Sequence, residues 1–450
     1  MCCEAKFPDS YISVVSGAAD KAQMARQTIA SLPDRIGKRA RIYYISENGN
    51  DDNDGLSAEK PLTFERLCTL HLRSGDAVLL KRGSVFRVSD ALYLSGGVHY
   101  GAYGTGNKPQ IIGSLRNYAD SRLWEKSSAY EDIWTLTLAT HIAGVVTFEN
   151  DRYIGVRKYK ITELCSNGDY FHDTVSGVFY LYTTLGNPGE CFSDIEIGTA
   201  DDLIFAQNVN DIRIENITLK YASVFGINLG NNRGVEICGC ELSYIGGHTF
   251  KKEIRYGNGI QFWLRCENIS VTDCFFLQIY DAALTFQGSG KEEAYFENIL
   301  FCRNLIEYCS MNFEYWAGNG SGTDCRIQNI LFSENILRCG GYGWGGIQRP
   351  DSGNQALLLG WNRHYENFKN FVISNNIFDC ADGNLIFAES PSQQHGLAVF
   401  GNSYYQRKPT GKNPFTEIIR KSGIAADGQK ELEQAIRLFD SAPKMISWVE

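Results

Sequence analysis

The sequence predicts an all-β solenoid: a right-handed parallel β-helix with a β-rich insertion and short capping helices. Three observations predict it. A phrase recurs through the second half of the chain, a second short strand follows each recurrence, and the composition is rich in glycine and aromatic rings. The phrase comes first, because a repeat decides the architecture. It reads Asn208-Val-Asn-Asp-Ile-Arg-Ile-Glu-Asn-Ile, then Gly234-Val-Glu-Ile-Cys-Gly-Cys and Asn268-Ile-Ser-Val-Thr-Asp-Cys. It returns as Asn298-Ile-Leu-Phe-Cys-Arg-Asn, Asn329-Ile-Leu-Phe-Ser-Glu-Asn and Asn370-Phe-Val-Ile-Ser-Asn-Asn. Alternating apolar residues mark a half-buried strand. The Asn or Cys that ends the phrase is expected at a turn, where Asn tolerates left-handed backbone angles.

The second strands read Phe225-Gly-Ile-Asn-Leu, Asn258-Gly-Ile-Gln-Phe-Trp, Asp281-Ala-Ala-Leu-Thr-Phe-Gln, Met311-Asn-Phe-Glu-Tyr-Trp, Gly345-Gly-Ile-Gln-Arg and Asn384-Leu-Ile-Phe-Ala. The interval between phrases runs from 23 to 41 residues. A 3.6-residue period is absent, which argues against a helical solenoid. The shorter intervals lack room for a four-stranded propeller blade. Coils stacking at about 4.8 Å turn equal positions into ladders. Asn216, Asn304, Asn335 and Asn376 are therefore expected at one turn, with Cys240 and Cys274 in the equivalent place as packing residues.

Composition agrees. A chain of 450 residues is long for one ordinary core, and stacked repeats escape that limit because each coil buries its neighbour. Gly is high at 45 and Pro low at 10, with 24 Tyr, 25 Phe and 7 Trp. The formal charge of -9 argues against nucleic acid and anionic membrane, which need clustered Lys and Arg. No run of about 20 apolar residues is long enough to span a membrane. The 14 cysteines include no pair of CxxC knuckles, so no zinc site is expected. Met1 to Gly37 holds no apolar export segment. Many thiols without one suggest a cytoplasmic protein, the alternative being a secreted or periplasmic protein whose signal has been removed. The sequence sets no oligomeric state.

In order along the chain, residues 1–40 are expected as an N-terminal helical cap, with helical spacing near Ala18 to Leu32. Residues 41–119 form the first coils, with strands at Arg41-Ile-Tyr-Tyr-Ile-Ser, Asp76-Ala-Val-Leu-Leu-Lys and Val98-His-Tyr-Gly-Ala-Tyr. Residues 120–200 lack the repeat and read as a β-rich insertion, with strands at Ile133-Trp-Thr-Leu-Thr-Leu and Gly177-Val-Phe-Tyr-Leu-Tyr. Residues 201–406 are the main helix, and 407–450 a C-terminal cap with helical spacing at Lys430 to Phe439. Caps at both ends answer the open sheet edge that an end coil presents.

The stretch Tyr43-Tyr-Ile-Ser-Glu-Asn-Gly-Asn-Asp-Asp-Asn-Asp-Gly-Leu-Ser holds a turn, Asp51-Asp-Asn-Asp-Gly, that looks like a calcium loop but lacks the glutamate at loop position 12. Tyr43 to Ser57, with Pro61-Leu and Ser74-Gly-Asp-Ala-Val-Leu-Leu-Lys-Arg-Gly, instead resembles the N-terminal signature of bacterial pectate-lyase-like β-helix proteins. Gly168-Asp-Tyr-Phe-His-Asp, Phe179-Tyr-Leu-Tyr and Asn187-Pro resemble the inserted segment of bacterial β-helix glycoside hydrolases. The resemblance implies the fold and carbohydrate as substrate. That superfamily also holds lyases, epimerases and phage tail spikes, so the activity must be argued from a site.

A packed β-helix interior leaves chemistry to the outside. With Ile227/Leu229, Ile260/Phe262, Leu284/Phe286, Phe313/Tyr315 and Ile347 inward, alternation sends Asn228, Gln261, Thr285, Glu314 and Gln348 outward in one ladder. Trp263, Gln287 and Trp316 form the next. The segments Gly288 to Glu297, Ala317 to Arg326 and Asp351 to Phe368 leave the same edge and would wall a cleft. Glu314 is the sharpest candidate, a carboxylate beside Trp316 on a face of amides. Glycoside hydrolysis usually needs two carboxyls. Asp281 is the partner one coil earlier, although its register falls four residues short, about 13 Å along the strand. Asp351 and Glu389 are the fallbacks. Gln261, Trp263, Gln287, Trp316, Gln348, Arg349 and His364 are the expected substrate contacts, since sugar C–H faces pack on indoles and hydroxyls seek amides. Trp344 and Trp361 read equally as platform or core. His172 and His364 read as structural more readily than catalytic.

These residues support an exo-acting glycoside hydrolase on an oligosaccharide or polysaccharide, with no metal or cofactor. A polysaccharide lyase or uronate epimerase is the first alternative. It would need a Lys, Arg, His or Tyr base and often calcium. A non-catalytic glycan-binding protein is the second.

Overall fold

A computed structural model describes residues 8–138, 142–250, 254–288, 292–316, 325–349, 355–361, 368–388, 396–409, 417–419, 422–425 and 427–450. Side chains of 249–250, 254–255 and 361 lie outside the described set.

The chain is a right-handed parallel β-helix whose coils present three faces. The first face stacks Asp202–Gln207, the start of Phe225–Cys238, the start of Ile260–Thr272, Ala282–Gln287, Met311–Trp316, Ala356–Trp361 and Asn384–Phe387. The second face begins with Ile42–Ile45, Ala77–Lys81, His99–Tyr103 and Ile212–Glu215. It continues through the later halves of the two long strands to Ala294–Cys302, Cys325–Ser333, Phe368–Ser374 and Leu397–Phe400. The third face runs from Val85–Arg87 to Met445–Trp448 in ten parallel strands. A register shift between Gly230 and Asn232 lets Phe225–Cys238 serve two faces.

Alternation decides what enters. Ile227, Leu229, Ile260, Phe262, Leu284, Phe286, Phe313 and Tyr315 are fully buried, as the pattern predicts. Rings stack on rings through successive coils: Phe313 lies 4.1 Å from Phe332 between centroids, and Phe286 lies 4.8 Å from Phe296. The aromatic content of the sequence is therefore the filling of a narrow tube. Tyr315 fits because the next coil carries Gly360, where any Cβ would meet the tyrosine ring.

The turn between the second and third faces holds a buried amide ladder. Asn304 donates its backbone N–H and its Nδ2 to Asn335 Oδ1, at 3.0 and 2.9 Å. Asn335 does the same to Asn376, and Asn376 to Asn402. Cys274 heads the ladder, donating its N–H to Asn304 Oδ1. Asn216 does not belong to it. Pairing of Thr218 with Glu241 puts Ile217 opposite Cys240, and Asn216 opposite Gly239. Asn216 instead occupies the preceding left-handed column with Gly239, Asp273, Arg303, Glu334 and Asn375. The ladder residues are buried acceptors, and the left-handed angle falls one residue earlier. Asn335→Ala would leave Asn304 without its acceptor and Phe301 O without its donor. A loss of at least about 2 kcal/mol is expected, read from the urea midpoint.

Residues 125–197 pair antiparallel apart from one parallel contact, in two small sheets around their own core of Trp124, Phe148, Tyr170, Phe179, Leu181 and Ile195. They dock on the helix where Asp151 accepts from Lys220 Nζ at 2.6 Å and from Tyr221 Oη at 2.8 Å.

The two terminal helices do different things. Gln429–Phe439 sets Leu432, Ala435, Ile436 and Phe439 into the main core at the C-terminal end. Ala19–Ala30 is not an end cap. The N-terminal segment runs as a strap along the third face, from late coils to early ones. Gly17 and Ala18 donate to Asp379, Arg26 pairs with buried Glu307, Asn216 donates to Asp34, and Asp34 pairs with Arg82. Leu62 and Phe64, with the short helix Phe64–Leu67, cover the first coil instead, Phe64 stacking on Phe86 at 5.0 Å. The strap's helix buries only Ala22 and Ile29, against Phe275 and Leu305 on the flank of the third face.

Candidate active site

The first face carries the two ladders the pattern predicts. Asn228, Gln261, Thr285 and Glu314 stand in register, and so do Trp263, Gln287 and Trp316. The next coil departs from expectation. Gly345-Gly-Ile-Gln-Arg is not a strand: Trp344–Gln348 is a helical turn, and Ala356–Trp361 is the strand that continues the face. Leu359 therefore occupies the place assigned to Gln348, and Trp361 follows Trp316. The glycines explain the difference. A Cβ at Gly345 would lie 2.5 Å from Tyr280 O, so this turn sits directly on the backbone of an earlier coil. Trp344 is core, its Nε1 donating to Gln278 O at 2.7 Å and its ring lying 4.7 Å from Tyr280. Gln348 donates to Gly155 O of the insertion at 2.9 Å, which fixes the turn from its other side.

That turn delivers Arg349 to Asp281, and the two form an ion pair in which both side chains are largely buried. The guanidinium also lies 5.9 Å from the Tyr280 ring. Asp281 sits where the chain bends into Ala282–Gln287, and its charge reaches Glu314 despite the backbone offset counted from the sequence.

Glu314 is partly exposed on the first face. Thr285 Oγ1 donates to its Oε2 at 2.8 Å, and Gln287 Nε2 donates to the same oxygen. Its carboxyl is pushed up to about 7, first by burial and then by the charge of Asp281. Gln287, Thr285 and Arg349 pull the other way without reversing it. Burial has a visible source. Leu359 is its ladder neighbour, within a satellite cluster of Ala282, Met311, Ala356 and Phe387. Burial disfavours the charged form, and so does a second anion. With two donors on Oε2, the proton of the neutral form belongs on Oε1.

The face also holds a carboxyl that sequence reasoning missed. Asp202 is pushed up to about 6 by burial and accepts from Asn228 Nδ2 at 2.8 Å. Asn228 stands three coils from Glu314, roughly 14 Å at 4.8 Å per coil. That exceeds the roughly 6.5–9.5 Å of a glycosidase pair, so Asp202 is not the partner of Glu314. The signal was available, as Asp202 opens the strand one coil before Asn228.

The remaining candidates divide. Gln261 is buried and accepts from Asn258 Nδ2 at 2.8 Å, while Trp263 and Trp316 are partly exposed on the first face. His172 is structural: Nδ1 accepts from Ala143 N, Nε2 bonds Leu138 O, and burial lowers its pKa. Asp351, His364 and Glu389 lie outside the described residues, as do 289–291, 317–324, 351–354 and 362–367 of the expected wall loops; the segments read as loops at 294–297 and 356–361 are instead strands of the coil, within Ala294–Cys302 and Ala356–Trp361. Among the described residues no group of three His, Cys, Asp or Glu side chains is placed to hold a metal.

No protein-family model and no curated protein matches the chain. The solved structures that align with the chain do so at low identity. A protein described as a glycoside hydrolase aligns over 91% of this chain and 96% of its own, at 9% identity and TM-score 0.44. A GH136 lacto-N-biosidase from Eubacterium ramulus aligns over 96% and 69%, at 14% identity and TM-score 0.43. A family 28 exopolygalacturonase from Yersinia enterocolitica aligns over 90% and 78%, at 11% identity and TM-score 0.40.

Proposed function

We propose that this protein is a glycoside hydrolase acting on oligosaccharides, with Glu314 as general acid and Asp281 as the second carboxyl. One observation carries the reading: two carboxyls from adjacent coils with opposed environments, one desolvated and raised to about 7, the other held in an ion pair by Arg349. Carboxyls set apart by environment divide acid and base work. Glu314 gives its proton to the glycosidic oxygen as the bond to the anomeric carbon breaks. The carboxylate of Asp281 stabilises the cationic sugar and either bonds to it or takes a proton from the attacking water. Trp263 and Trp316 offer faces for the sugar ring, and Gln261 and Gln287 its hydroxyl contacts.

A panel of aryl glycosides tests this. Release of phenol by the wild type and not by Glu314→Gln is expected, and no release from any member would sink the hydrolase reading. Arg349 is a group that a lyase would share. A lyase would instead release an unsaturated uronate, visible by ultraviolet absorbance. Exo attack and a cytoplasmic location belong to the same proposal. Product analysis should give one sugar unit from the earliest time points. Thiol titration of denatured, unreduced protein should find all 14 cysteines free; the described ones form no disulfide.

A further inference from the structure

Around the corner from the Glu314 face, the second face carries a separate groove of about 510 Å³. We propose that it binds an extended neutral glycan chain running parallel to the β-helix axis. The inference rests on the carbohydrate reading above, but not on Glu314 or on hydrolysis.

The groove is built by register. Arg265, Tyr295 and Arg326 form one column, and Arg233, Glu267, Glu297 and Gln328 form the next. The Arg326 guanidinium lies 4.1 Å from the Tyr295 ring centroid, and that of Arg265 lies 5.9 Å away on the neighbouring coil. A planar cation stacked on a ring holds both flat and aligned. Their edges then present N–H forks and a phenol hydroxyl at successive coils. The floor reaches down to buried Cys266 and Phe296. A left-handed residue at Leu264 turns the chain between Trp263 and Arg265, so this groove and the Glu314 face look different ways.

The lining selects the ligand class. Donors and acceptors alternate, with three arginines against Glu267 and Glu297, and the pairs are loose: Arg233 to Glu267 is 4.0 Å and Arg265 to Glu293 is 3.8 Å. A polyanion would meet the glutamates, and the net charge of -9 opposes it further. An apolar ligand would strand the charged groups. A polyhydroxylated neutral chain satisfies both kinds of group. Coils recur at about 4.8 Å, close to the advance per residue of an extended glycan, so one set of contacts repeats from sugar to sugar.

The test uses cellohexaose, xylohexaose and maltohexaose as neutral probes and hexagalacturonate as the acidic one, by calorimetry on the Glu314→Gln protein. At least one neutral hexasaccharide should bind, and Tyr295→Ala with Arg326→Ala should weaken it by about tenfold. The same pair of changes, with Glu314 intact, should leave aryl glycoside turnover and the melting temperature unaltered. Failure of all the neutral hexasaccharides to bind, or binding insensitive to the double change, overturns the groove. Tighter binding of hexagalacturonate overturns the ligand class. Groove binding without hydrolysis of any glycoside would remove the catalytic proposal and leave this one standing.

Discussion

Glu314→Gln is expected to lower turnover by at least about a hundredfold while raising stability at alkaline pH. The first effect follows from losing the proton donor, at the lower end for general acid–base catalysis. The second follows from linkage. The folded carboxyl titrates at about 7, above the ordinary value of an unfolded glutamate. The wild type therefore has its full stability below the unfolded value and loses the difference as pH rises through about 7. Glutamine is neutral throughout, and its amide oxygen can keep the Thr285 and Gln287 bonds. At about pH 9 the variant should be more stable by about 1–3 kcal/mol, with no such gain at about pH 4. The exposed ladder carboxyl suggested by alternation would leave stability unchanged at both. Melting curves at the two pH values, beside kcat on an active glycoside, separate a desolvated acid from a surface charge. Loss of activity with a lower melting temperature at both pH values would mark Glu314 as structural.

Asp281 and Arg349 should move the pH profile in opposite directions. As general acid, Glu314 must be protonated, so kcat/KM falls as pH rises through about 7. The Asp281 charge raises that carboxyl and the Arg349 charge lowers it. Asp281→Asn should cost at least about a hundredfold in turnover as the second carboxyl disappears, and the residual activity should lose its alkaline side at lower pH. Arg349→Met should move the alkaline limb upward, because Asp281 is then uncompensated and Glu314 holds its proton longer. A general loss of packing lowers the melting temperature without shifting the limb. Shifts in the same direction, or none, would disprove the electrostatic coupling.

Most of the first face was legible in the sequence because strand alternation is local. Once Ile260/Phe262, Leu284/Phe286 and Phe313/Tyr315 are inward, Gln261, Thr285 and Glu314 must be outward and stacked. The errors share a cause. Gly345-Gly-Ile-Gln-Arg reads as a strand when an inward isoleucine is sought, but its glycines serve contact with Tyr280, on a coil more than sixty residues earlier. Asn216 carries the right residue at the wrong column, because a one-residue difference in register is invisible until the coils are paired. The first helix has helical spacing, and nothing local says which surface it covers.

What the sequence determined by itself is the repeat, the inward and outward sets up to Tyr315, the buried Asn304/Asn335/Asn376 ladder and the outward position of Glu314. Each depends on neighbours within one coil or on a period that returns in the chain. Only the tertiary structure decided that Arg349 meets Asp281, that Leu359 stands beside Glu314, and that the carboxyl there is raised to about 7. Those depend on how a glycine-rich turn, an insertion and a satellite apolar cluster close on one another. A carboxyl's proton affinity is set by the dielectric and charges around it, which come from distant segments and carry no local pattern.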